Sequence, residues 1–153
     1  MRRFFEDSER EYSMEKTILT IDVLLDEIFN VEGTAGKATM ILFHGSSDCD
    51  NFKGKILPGG VDTQKEPAGK PRILSARYIL EGKDLEGKDC HIFIENNGEV
   101  EPISDGGVIR TKPIIYTDSE ALKWMETADI RGTVTGAPGG VTISFFVEDD
   151  KTT

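Results

Sequence analysis

Cysteine, histidine and tryptophan are scarce: the 153 residues hold two, two and one of them. Cys49 and Cys90 stand alone without C-x-x-C spacing, and no N-x-S/T acceptor occurs. Neither a zinc ribbon nor a secreted disulfide framework is indicated. The expectation is two free, buried thiols in a reducing cytoplasm, with a Cys49–Cys90 bridge as the alternative. Positive charge is also short, since 18 Lys and Arg face 28 Asp and Glu for a net charge of −10. That argues against nucleic acid and against an anionic membrane as partners, because both need a basic patch. Long apolar runs are missing too. Met1-Arg2-Arg3-Phe4-Phe5 is followed at once by Glu6, Asp7, Glu9 and Glu11, where a secretory signal needs an apolar stretch. The longest uncharged stretch, Gly132 to Val147, is too short and too rich in Gly, Thr and Pro to span a bilayer. A soluble protein of one domain is expected from this length.

What is present is β-patterning. Residues 1–16 are charged and lack periodicity, so they read as an extension, followed by a domain over 17–148 and a tail over 149–153. From Thr17, one apolar and one mixed set of side chains alternate as far as Asp26, the two-residue period of a strand. Further strand-like runs occur at 27–31, 38–44, 53–57, 72–80, 89–96, 108–116, 130–135 and 141–148. Glu32 to Gly36, Asn96-Asn97-Gly98 and Gly136 to Gly140 supply the residues that short hairpin turns need. One helix is expected at about Asp118–Glu126, where Thr117-Asp118-Ser119-Glu120 reads as a capping box. Together these predict an all-β fold of eight or nine antiparallel strands, a barrel or a sandwich. Closure into a barrel is favoured because it removes exposed edges.

Few residues offer chemistry. His44 shares a strand face with Met40 and Leu42, and His91 with Phe93. The cluster His44, Asp48, Cys49 and Asp50 matches neither zinc nor calcium spacing, so no metal is expected. Gly136 to Gly140 lacks the pattern of a phosphate loop, and Ser46 and Ser47 lack a nucleophile elbow, so no cofactor is expected either. Two segments carry more. Gly54 to Asp62 ends a strand in a rigid turn and sets a carboxylate just beyond it. Leu74 to Leu80 puts Arg77 and Tyr78 on opposite faces of one strand. With Arg77 turned inward, its guanidinium would need Asp62 or an anionic ligand as partner. The structural alternative is an Asp62 turn bond, an Arg77 surface pair and a packed Tyr78.

The order Leu-Pro-Gly-Gly-x-Asp (57–62), Ala-Arg-Tyr-x-Leu (76–80) and Ile-x-x-x-Asn-x-Gly (92–98) resembles the domain of unknown function 3237 family, from about Thr17 to Val147. The resemblance implies an antiparallel barrel of lipocalin-like appearance, closed at its ends by glycine-rich turns and the short helix. It implies no established reaction. Family members commonly carry Thr-Gly-Gly where this chain has Phe43-His44-Gly45, Asp-Trp where it has Asp62-Thr63, and Asp-Ala-Arg-Tyr where it has Ser75-Ala76-Arg77-Tyr78. His44 at a normally hydroxyl-bearing position would supply a new acid or base.

The function expected from these residues is binding of a small, partly apolar molecule in the barrel lumen, with proton-transfer chemistry as its enzymatic form. Asp62 or His44 would act as base and Arg77 would stabilise an oxyanion, while Tyr78, Trp124 and Asn96 would line the ligand. The alternative is a non-catalytic oligomeric module whose lumen is filled by Phe43, Phe93, Phe145 and Phe146, and a homo-oligomer is left open in either case.

Overall fold

Alternation starting near Thr17 does produce a strand, and a longer one than expected. In the computed structural model, which describes residues 15–100 and 108–148, β1 runs Glu15–Glu32. Residues 1–14 and the tail 149–153 lie outside the described residues; of the expected extension only Glu15 and Lys16 are described, paired in β1 with Glu148 and Val147. An irregularity between Thr17 and Leu19 sets Ile18 and Leu19 both in the core, and a second between Leu25 and Ile28 carries the strand on. The separate strand expected over 27–31 is therefore the continuation of β1.

The remaining strands are β2 (Gly36–Asp48), β3 (Phe52–Ile56), β4 (Val61–Pro67), β5 (Arg72–Asp84), β6 (Asp89–Val100), β7 (Ile109–Thr117), β8 (Ile130–Ala137) and β9 (Gly140–Glu148). Every pairing is antiparallel, in the order β1-β9-β8-β7-β6-β5 and on through β3 and β4 to β2, which closes on β1. The fold is thus a closed antiparallel barrel. β3 and β4 both lie between β2 and β5 and follow one another along the same stave. The nine strands of the described residues therefore make eight staves. Leu57 to Gly60 loops out between β3 and β4, spanning a stretch where β5 has only Tyr78 and Ile79. That turn, with Gly59 at φ 112°, sits in the middle of the wall rather than at its end.

Two expected local structures differ. Asn96-Asn97-Gly98 is no turn, because β6 continues through it in register with Ala76, Ser75 and Leu74. The expected helix reduces to a 3-10 turn at Lys123–Glu126. Here the hydroxyls close turns of their own instead of starting a helix: Thr117 Oγ1 accepts the Ser119 N–H at 3.1 Å and Ser119 Oγ accepts the Leu122 N–H at 3.2 Å. Ser119 Oγ also donates to Asp84 Oδ2 at 2.7 Å, tying the turn to β5.

The lumen has two halves. One is packed solid by side chains such as Phe52, Leu80, Ile92, Ile94 and Phe145, with Leu122 and Met125 of the turn region plugging that end. The other half is hollow. Phe93 and Phe146, expected inside, fall on the outward phase of their strands; Phe93 stacks on Tyr116 there with centroids 5.9 Å apart. Among the described residues no helix is long and apolar enough to cross a membrane.

Candidate functional site

The hollow half is built around a strand that the apolar pattern does not reveal. Inward positions of β4 are Asp62 and Gln64, so Val61–Pro67 shows no alternation of apolar side chains. Register places Ile41 opposite Asp62, Asp62 opposite Ala76, and Ala76 opposite Asn96, one row across four neighbouring strands. These residues and Gln64 border a cavity of about 130 Å³ whose remaining wall is aliphatic and aromatic, including Val23, Phe43, Leu74 and Ile143. The cavity is close to the size of the about 150 Å³ apolar cavity that admits a benzene ring.

Among the described residues, the polar atoms of the row are incompletely satisfied. Gln64 Nε2 donates to Asp62 Oδ2 at 2.7 Å, whereas Asp62 Oδ1 accepts no hydrogen bond of good geometry. Asn96 is 1% exposed and its Oδ1 also lacks a partner. Burial raises the Asp62 carboxyl above its ordinary range, outweighing the Gln64 bond, the Arg72 charge and the nearby Ser75 amide, which pull the other way. A desolvated carboxyl with one oxygen short of a partner, on a residue that borders a cavity, marks a candidate ligand site.

Of the residues singled out in the sequence, Asp62 and Asn96 border the cavity. Arg77 and His44 do not join them. Leu74, Ala76, Tyr78 and Leu80 take the inward phase of β5, so Arg77 must point out, where its Nε lies 3.5 Å from Glu95 Oε1. His44 follows the inward Phe43 and so faces outward, with Nδ1 2.8 Å from Asp26 Oδ1. The expected convergence of Asp62, Arg77 and His44 is corrected by this alternation. Tyr78 points inward but lies deeper, edge-on to Phe43 at 5.5 Å, and burial pushes its phenol ionisation far up. Among the described residues its hydroxyl has no partner. Trp124 belongs to the plug at the closed end and does not border the cavity. Gln64, which the sequence reading missed, is two residues from Asp62 and therefore on the same face.

His91 lies outside the barrel in a different arrangement. Its Nδ1 is 3.0 Å from Asp118 Oδ2 and its Nε2 is 2.9 Å from Glu81 Oε2, while its backbone N–H donates to Asp118 Oδ1 at 2.7 Å. The Asp118 and Glu81 bonds raise the imidazole above its ordinary 6.5, and the His91 backbone and ring hold Asp118 below the usual carboxylate range. Because the folded value lies above the unfolded one, the stabilisation by His91 is fully present below about pH 6.5 and is lost as pH rises through the folded value. An NMR titration of His91 should show a midpoint above 6.5 that falls toward it in Asp118→Asn. A midpoint at or below the ordinary value would contradict the pairing.

Comparison with known proteins gives the chain several relatives. A UPF0311 protein of Clostridium acetobutylicum is 29% identical over 147 residues, 84% of this chain and 90% of its own. A crystal structure of a protein with unknown function from Clostridium acetobutylicum superposes with a TM-score of 0.73 at 27% identity, covering 88% of this chain and 96% of that one. The crystal structure of an enzyme from Penicillium herquei matches with a TM-score of 0.66 at 13% identity, covering 88% and 93%, a likeness of fold alone. The pattern of one family matches residues 15–147, nearly the whole described barrel, and the protein belongs to that family, the protein of unknown function DUF3237.

Proposed function

We propose that the protein binds a small, partly apolar molecule in the hollow half of its barrel, anchored on Asp62. The observation that carries this reading is a largely apolar cavity bordered by Asp62, whose buried carboxyl has one oxygen without a hydrogen-bond partner among the described residues. A buried polar atom without a partner costs about 1–3 kcal/mol, and a ligand that hydrogen-bonds it recovers part of that cost. The test is an NMR screen of one-ring molecules against the labelled protein. Binders should shift the Ala76 methyl and the Asn96 side-chain amide, and Ala76→Phe should abolish the Asn96 shift while the Leu80 and Ile92 methyls stay put. Binders that map only to the outer face would overturn the proposal.

The raised ionisation of Asp62 favours proton transfer as a second reading. In an isomerisation Asp62 would take a proton from one atom of the ligand and return it to another, so that no further reactant is consumed. Among the described residues bordering the cavity Asp62 is the one titratable group, and Arg77 and His44 have no part in this version. Turnover should then disappear in Asp62→Asn and should rise with pH through an acidic limb displaced above 3.8. An activity that survives Asp62→Asn unchanged would remove Asp62 from the chemistry.

A further inference from the structure

We propose that a second copy of this chain docks on the free edge of β1, joining two barrels strand to strand across a two-fold axis at Asn30. β1 is paired with β9 only as far as Leu24, opposite Gly140, and the Leu25 N–H still reaches the Gly139 carbonyl at 3.0 Å. Beyond that point β1 continues to Glu32 with β2 on one side and, among the described residues, no strand on the other. The turn sets the phase of its backbone. Gly33 N–H donates to the Gly36 carbonyl at 2.8 Å, so Val31 and Phe29, which alternate with it, turn their N–H and C=O groups toward β2. Ile28, Asn30 and Glu32 turn theirs to the open side. Side chains along this edge are apolar on both faces, Ile28 on one and Phe29 and Val31 on the other, and they are 53%, 55% and 71% exposed. An apolar strand with an open ladder is a template for another strand.

The edge fits its own copy because it is self-complementary in one register. Facing residues of an antiparallel pair share a face of the sheet, so a two-fold axis between identical strands passes through a residue. With Asn30 on the axis, Ile28 faces the partner's Glu32 and Phe29 faces the partner's Val31. The outward-turned residues then exchange about six hydrogen bonds, and each Phe29 ring lies across from a branched side chain, a favourable cross-strand pair. No carboxylates oppose one another: Asp26 and Glu27 fall opposite the partner's Thr34 and Gly33, where its strand has ended. An axis at Phe29 would set Asp26 against the partner's Glu32, a like-charge pair. An axis at Ile28 would drive the partner strand into Gly139 and Gly140, which already hold Leu25 and Leu24. At physiological ionic strength charges are screened over about 8 Å, so the net charge of −10 on each barrel acts chiefly at the seam, where this register keeps the acids apart.

The experiment follows the mass of the full chain by sedimentation over a range of concentrations at physiological ionic strength, and its amide hydrogen exchange residue by residue. The mass should double as concentration rises. The amides of Ile28, Asn30 and Glu32 should exchange at least about tenfold more slowly in the dimer, while those of Phe29 and Val31, bonded to β2 in both states, should change less. Two substitutions at the exposed Ile28, which leave the core untouched, read the register. Ile28→Lys meets the partner's Glu32 at two symmetric places and should dimerise at least about tenfold more tightly than Ile28→Glu, which sets a carboxylate against it. A chain that stays monomeric up to about 1 mM overturns the proposal. So does a dimer that Ile28→Lys and Ile28→Glu affect equally, because its contact or its axis lies elsewhere. A monomer whose Ile28, Asn30 and Glu32 amides are already protected overturns it too, since the chain then covers this edge itself.

Discussion

Phe145→Ala should lower the unfolding free energy by about 3–5 kcal/mol, the range for emptying a large aromatic site in a packed core. Phe145 is 0% exposed and lies in register with Leu19 on one side and Gly132 on the other. Its ring occupies the space that a side chain at Gly132 would need: a Cβ there would come within 2.8 Å of Cε1 and 2.9 Å of Cδ1. On one side no side chain can move in to replace the ring, because the paired residue there is Gly132. Denaturant unfolding at constant slope measures the loss. The next residue is the control, since Phe146 is only half-buried on the outer phase, and Phe146→Ala should cost clearly less. A loss below about 1 kcal/mol for Phe145→Ala would mean that the packed half can collapse around the gap.

Gly82→Ala should be as damaging through a different mechanism. Gly82 and Gly54 face each other across β5 and β3, and a Cβ on Gly82 would strike the Lys53 carbonyl oxygen and approach the Gly54 Cα to 2.6 Å. Both obstacles are backbone, so the new methyl can be admitted only by separating the two strands. The expected result is a loss of more than about 3 kcal/mol or no folded protein. Gly136→Ala makes the comparison fair: nothing lies within 4 Å of a Cβ there, and the change should stay within about 0.5 kcal/mol of wild type. Thermal unfolding of the two variants side by side decides the matter. Similar melting temperatures would show that β3 and β5 part without penalty.

Legibility followed the chemistry of the inward face. Strands whose inner side chains are apolar announced themselves: Leu74, Ala76, Tyr78 and Leu80 in β5, or Ile92 and Ile94 in β6. β4 stayed hidden because its inner face is Asp62 and Gln64, the very residues that give the cavity its polarity. Asn96 was readable in principle, since Cys90, Ile92 and Ile94 set a period that reaches it, yet the Asn-Asn-Gly chemistry around it imitates a turn. The period of its own strand fixes Arg77 outside, where a guanidinium in water needs no buried partner. The short helix was overread because hydroxyl and carboxyl residues that resemble a cap instead bond to Asp84 and to turn amides. Cys90 illustrates the reverse case: it is the free, buried thiol expected from its isolation in the sequence, and burial and the surrounding Asp84, Asp118 and Asp89 push it up to about 11.

The outward loop at Leu57 to Gly60 has a consequence for how this wall tolerates changes in chain length. In an unbroken strand, adding one residue turns every following side chain to the opposite face. Here β3 and β4 are each held in place by β2 and β5 on both sides, and the loop between them is already longer than the gap it crosses. Residues added to or removed from the loop change its arc and leave Ile56 and Asp62 facing inward. The stave that carries the carboxyl is therefore insulated from insertions immediately before it.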